Sequence, residues 1–151
     1  MTPITILVGT MTGNAEFAAE DIQAILRDDF GRDASFLLMD DLRPDVFRRP
    51  GVFLICTSTY GEGDVPDNAK ALYDALCAER PDLTGVLYGV FGLGDTAYRD
   101  TFNNGGKRFD DILTELGARR LGERAKHDAS SGVDASEFGR DWVREWIATV
   151  D

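Results

Sequence analysis

The stretch TSTYGEGDVPDN, residues 57–68, sets Tyr60, Gly61, Gly63 and three acids, Glu62, Asp64 and Asp67, directly behind the apolar run VFLICT. A surface turn needs about one glycine and one Asp or Asn, so this segment is over-supplied for a plain reversal. Two more stretches have the same character. GTMTGNAE (9–16) offers the hydroxyls of Thr10 and Thr12, a permissive Gly13, and the backbone N–H groups of a helix start at Asn14 and Ala15. A helix start carries partial positive charge and unpaired donors, which suits a phosphate. The loop has no lysine and is therefore not a triphosphatase loop; its hydroxyls suit a single terminal phosphate. Ordinary capping by Thr12 with Glu16 nearby is the other reading, and the spacing alone leaves both open. FGLGDTAYRDTFN (91–103) brings Tyr98 among glycines. Tyr60 and Tyr98 could cover the two faces of one flat ligand, at about 0.5–1.5 kcal/mol per aromatic pair beyond area burial. Taken singly, Tyr98 reads equally well as a core or surface tyrosine.

The elements that must position these loops follow from periodicity. ITILVG (4–9), ASFLLM (34–39), VFLICT (52–57) and VLYGVFGL (86–93) are short apolar runs that predict buried strands, and RRLGERA (119–125) predicts a weak fifth. Between them, Ala18, Ile22, Ile25 and Leu26 predict a helix from Asn14 to about Asp28. Ala69, Leu72, Tyr73 and Leu76 predict a second, and Phe109, Ile112, Leu113 and Leu116, ended by Gly117, a third. Phe138, Trp142, Val143, Trp146 and Ile147 mark a closing helix. Alternating apolar strands and amphipathic helices predict an α/β chain. Its expected form is a doubly wound three-layer sandwich around a five-stranded parallel sheet, as one domain spanning 1–151. In such sheets ligands bind beyond the carboxyl ends of the strands, where strand order reverses. All three unusual loops follow strand ends.

Composition narrows the partners. With 16 Lys and Arg against 27 Asp and Glu, the net charge is −11, which argues against nucleic acid and anionic membranes. Solubility is one reading of that charge and steering toward a basic protein is another; residues 51–100, with eight acids and three bases, favour the second. MTPITILVGT has no basic stretch and only a short apolar run, so it predicts neither a signal peptide nor a membrane span, and a cytoplasmic location. Cys56 and Cys77 form no disulfide framework or metal cluster, and Cys56 is expected in the core. The single histidine, His127, is expected to be a surface residue of a 126–133 loop. Gly92-x-Gly94-x-x-Ala97 fits a dinucleotide fingerprint by spelling only, because it follows the fourth strand instead of opening the fold.

TMTGNAEFAA, CTSTYGEGDVPDNA and YGVFGLGDTAYRDTFN, in this order, resemble the three flavin-binding loops of flavodoxins. The motifs look especially like those of short-chain members of the MioC type and of the FMN domains of diflavin reductases such as cytochrome P450 reductase and the sulfite reductase flavoprotein. The likeness runs nearly end to end. It implies the sheet order 2-1-3-4-5, for which flavodoxin is itself the standard example, and FMN as cofactor. Thr10, Met11, Thr12, Gly13, Asn14 and Ala15 would then form the phosphate loop. Thr57, Ser58, Thr59, Tyr60, Gly61 and Gly63 would pack on one face and edge of the isoalloxazine, and Gly92, Leu93, Gly94, Asp95, Tyr98, Phe102 and Asn103 on the other. Asp128 would correspond to an acid near the flavin. The Gly61 peptide would turn its carbonyl toward flavin N5–H on one-electron reduction, a movement glycine permits.

The resemblance further implies a monomeric single-electron carrier with no turnover of its own. It would be served by a separate flavodoxin/ferredoxin NADP reductase and would feed an acceptor enzyme, with biotin synthase as the family-level candidate. Docking would use an acidic rim of Glu62, Asp64, Asp67, Asp95 and Asp100. The alternative is a flavin-dependent reductase of the quinone or nitro-group type on the same fold, which would need a substrate pocket and an acid–base pair not evident here. A receiver domain would want an acidic pair after the first strand, where GTMTG stands. A cofactor-free interaction module sits poorly with three intact loops.

Overall fold

The computed structural model describes residues 2–10, 13–59, 64–94 and 103–150. The elements run β1 (Ile4–Gly9), α1 (Asn14–Phe30), β2 (Ala34–Leu38), a 3-10 turn (Pro44–Arg48), β3 (Val52–Thr57), α2 (Asp67–Glu79), β4 (Leu87–Gly94), α3 (Asn104–Glu115), β5 (Arg119–Arg120), β6 (Ala125–Asp128), a second 3-10 turn (Ala129–Ser131) and α4 (Ala135–Ile147). The strands are parallel in the order β2-β1-β3-β4-β5, with β6 also on β4. This is the expected doubly wound sheet. No helix among the described residues is long and apolar enough to cross a membrane.

Alternation along the strands sorts side chains to two cores. Ile4, Ile6 and Val8 of β1 and Val52, Leu54 and Cys56 of β3 pack under α1 and α4. Leu7, Phe53 and Ile55 pack on the opposite face under α2 and α3. Ile6, Leu7, Leu54 and Ile55 are 0% exposed, and burying such a side chain stabilises the fold by roughly 1.5–3 kcal/mol. Contiguous apolar strands are therefore what a sheet covered on both faces requires. Helix α1 extends to Phe30, slightly beyond the apolar stripe, and stops at left-handed Gly31 (φ 63°). There the N–H of Gly31 bonds Arg27 O and that of Arg32 bonds Leu26 O, which satisfies the helix's last carbonyls.

Two expectations are corrected at the far edge. The fifth strand is two short pieces on the same neighbour: β5 pairs Leu87–Tyr88 and β6 pairs Phe91–Gly94. Gly122, at φ 70°, interrupts them, and the Arg120 Nε bonds back to its carbonyl at 2.9 Å. His127 is not a surface residue. It lies on β6, 6% exposed, because alternation turns Ala125 and His127 inward and Lys126 outward. Its Nε2 is 2.7 Å from Val133 O, and its ring meets Phe138 edge-on at 5.5 Å.

Candidate functional site

The strand order places β1 beside both β2 and β3, so the chain leaves β1 in one direction and returns to β3 in the other. At that reversal the carboxyl ends line up: Gly9 opposite Thr57, Thr57 opposite Gly92, and Gly94 opposite Asp128. The three loops singled out in the sequence thus open on one sheet edge. Met11, Thr12, Tyr60, Gly61, Glu62, Gly63, Asp95, Tyr98, Asp100 and Phe102 lie outside the described residues.

The first loop ends at Gly13, which takes φ 91° as the N-cap of α1 with no side-chain cap. Phe17 N–H bonds the Gly13 carbonyl at 2.9 Å, so the amides of Asn14, Ala15 and Glu16 fall in the turn that has no helical acceptor. Thr10 Oγ1 accepts the Gly13 N–H at 2.9 Å, which leaves the Thr10 hydroxyl proton to donate outward. A helix start whose cap residue is glycine, beside a hydroxyl and without a lysine, is a donor set for a phosphate monoester. Ala15 is fully buried, and its carbonyl accepts the Cys56 thiol at 3.4 Å. Burial pushes that thiol up from 9.0 to about 12, so Cys56 packs as a neutral core group.

The second loop begins at Thr57, 0% exposed, whose hydroxyl donates to Ser58 O at 3.0 Å. Ser58 N–H bonds Gly9 O at 3.0 Å, joining the first and second loops. Thr59 Oγ1 accepts the Gly105 N–H at 3.0 Å, which ties the second loop to the start of α3. A Cβ at Gly105 would stand 2.3 Å from Ser58 O, so only glycine allows this approach. In the third loop Leu93 is buried and Gly94 half-buried. Asn103 is fully buried; its Nδ2 donates to His127 O at 3.2 Å while its Oδ1 has no hydrogen-bond partner among the described residues. Asp128 is half-buried, and its Oδ1 accepts from the N–H and hydroxyl of Ser130 at 3.0 and 2.8 Å. It therefore orders the turn next to the site edge. Asp64 and Asp67, two of the acids expected at a docking rim, are exposed.

The family described as Flavodoxin matches residues 6–138. The chain belongs to the flavodoxin family. It is 36% identical over 146 residues to Flavodoxin YqcA of Escherichia coli K12, covering 97% of each chain. It is 32% identical over 150 residues to Protein MioC of Escherichia coli O157:H7, again covering 97% of each. Among solved structures it is similar to a cysteine-to-alanine variant of flavodoxin from Pseudomonas aeruginosa, with a TM-score of 0.85, 35% identity and 98% of both chains covered.

Seen as a flavodoxin, the chain uses two residues at the edge that spacing did not single out. Gly105 admits the second loop against α3, and Asn68, inside the opening motif, bonds to the first loop. The sequence signal for Gly105 was the pair Gly105–Gly106 at a helix start, where propensity alone disfavours glycine. Away from this edge, α3 and the 120–126 segment enclose a cleft of about 370 Å³ lined by Asp110, Arg120, Glu123, Arg124 and Lys126. Its charges largely serve one another, Arg120 and Arg124 both facing Asp110.

Proposed function

We propose that the chain binds FMN at the edge described above and carries single electrons from a separate NAD(P)H-dependent reductase to an acceptor enzyme. The observation that carries the reading is the left-handed glycine entry into α1, with Thr10 beside it, at the reversal of strand order. Thr10, Met11, Thr12, Gly13, Asn14 and Ala15 hold the phosphate through backbone N–H groups and hydroxyls. Thr57, Ser58, Thr59, Tyr60, Gly61 and Gly63 wall one side of the ring. Gly92, Leu93, Gly94, Asp95, Tyr98, Phe102 and Asn103 wall the other, with Asp128 at the margin. Bound FMN supplies the electron-transfer chemistry, and the protein supplies binding, orientation and electrostatics. The acids Glu62, Asp64, Asp67, Asp95 and Asp100 raise the energy of added negative charge near the ring and present an acidic docking rim. Biotin synthase, the acceptor that the family resemblance implies, is the first to assay.

The test is the visible spectrum of the purified protein, followed by titration of the apo form with FMN, riboflavin and FAD while flavin fluorescence is read. Flavin bands, or saturable quenching strongest for FMN, are the expected result. A folded sample with neither would overturn the reading. Oxidation of NAD(P)H by the pure protein would overturn the carrier role in favour of a reductase.

A further inference from the structure

We infer that Asn68 is a positioning residue for the phosphate end of the site: its side-chain amide completes the β1 ladder where β2 turns away and so sets the loop that receives the phosphate. The inference rests on the FMN reading above. In a parallel ladder one residue's N–H and C=O bond to positions flanking the residue opposite. The Met39 N–H meets Val8 O at 3.0 Å, and the next rung would take the Thr10 N–H to the Met39 carbonyl. That rung is supplied by a side chain. Thr10 N–H donates to Asn68 Oδ1 at 2.7 Å, and Asn68 Nδ2 donates to Val8 O at 3.2 Å and to Asp40 Oδ2 at 3.3 Å. One amide therefore brackets Gly9 from both sides and grips the departing end of β2.

The consequence reaches the phosphate loop directly. With its N–H held by Asn68, Thr10 does not offer that amide to an anion. It presents its hydroxyl instead, which is fixed by the Gly13 N–H at 2.9 Å. A shorter side chain at position 68 leaves the Thr10 amide unpaired and lets the peptide rotate. The cost falls on recognition of the phosphate and spares the ring. Position 68 is in the first turn of α2, directly after the segment that walls the ring, so one residue ties the two ends of the site together.

The experiment compares wild type with Asn68→Ala by fluorescence titration of the apo proteins with FMN and with riboflavin, which lacks the phosphate. Asn68→Ala should weaken FMN about tenfold, the scale of a lost partly buried hydrogen bond, and leave riboflavin within about twofold. Equal losses for both flavins, or no loss for either, would overturn the inference while wild-type FMN binding still upheld the proposed function. Wild type that ignores FMN would overturn both. A second measurement needs no variant. In wild-type apo protein the Thr10 amide should exchange slowly and keep its NMR shift when FMN is added, while the Asn14 and Ala15 amides move. A Thr10 amide that shifts with them serves the ligand instead of Asn68, and the inference falls.

Discussion

Cys56 and Cys77 show how placement decides the chemistry of one side chain. Cys56 is sealed between β3 and α1, with its thiol raised to about 12 by desolvation, while Cys77 is exposed on α2. Thiolate is the reactive form. Alkylation of the folded protein at about pH 8 should therefore add one label, at Cys77, and unfolding in denaturant should add the second; intact mass reports both. Two labels on the folded protein would mean that the α1–β3 contact opens readily. Asn103 makes the same point with a polar group. It takes a left-handed conformation (φ 56°) and is 0% exposed, yet its Nδ2 reaches across to the backbone of β6. That bond ties Asn103, at the start of α3, to β6, and a Cβ on Gly92 would come within 2.5 Å of its Oδ1.

At the scale of elements, β4 carries the heaviest traffic, bonded to β3, β5 and β6. Its Tyr88 hydroxyl lies fully buried, 2.6 Å from Asp110 Oδ1 and 2.7 Å from Thr114 Oγ1 on α3, and Asp110 in turn faces Arg120 of β5. The cluster locks α3 to the sheet behind the third loop. Burial, then the hydrogen bond to Asp110, raises the Tyr88 phenol above its usual 10.0. The folded chain therefore keeps a proton that the unfolded chain loses above pH 10. This stabilisation is complete below that pH and declines as pH rises further. Cys56 acts in the same direction from its usual 9.0 upward. Urea midpoints should thus fall between about pH 9 and 11. Tyr88→Phe should cost about 1–2 kcal/mol at neutral pH, by loss of a hydrogen bond to a charged group, and flatten the alkaline decline. A variant as steep as wild type would place the decline elsewhere.

For the molecule as a whole, the net charge of −11 acts at long range. A protein of this charge should attract a basic reductase by steering, which is worth about 10- to 1,000-fold in association rate and is removed by salt. Raising ionic strength from about 0.01 M to about 1 M shortens the Debye length from about 30 Å to about 3 Å. The stopped-flow rate of reduction by a basic flavodoxin reductase should fall steeply over that range, and Asp64→Lys, at an exposed position, should lower both the rate and its salt slope. A rate insensitive to salt would overturn the docking role proposed for these acids.

Much of this was legible in the chain itself. Buried parallel strands must be apolar on both faces, so VFLICT and ITILVG announced their places, and helices with one wet face announced theirs by spacing. The three loop motifs came with them, because turn glycines, hydroxyls and a helix start are local properties; the cofactor came only from the resemblance of those motifs to flavodoxin loops. What needed the tertiary structure is whatever joins distant residues. Asn68 looked like the tail of a turn until folding brought it to Thr10 and Val8, 58 and 60 positions away. His127 looked exposed until β6 paired with the far half of β4 and turned it inward. Asp110 is a charged residue on an amphipathic helix, yet it is buried, because Tyr88 and Arg120 arrive from other elements to satisfy it. Local sequence determines what each segment can form; which polar groups go inside is decided only when partners from elsewhere offset the cost of leaving water.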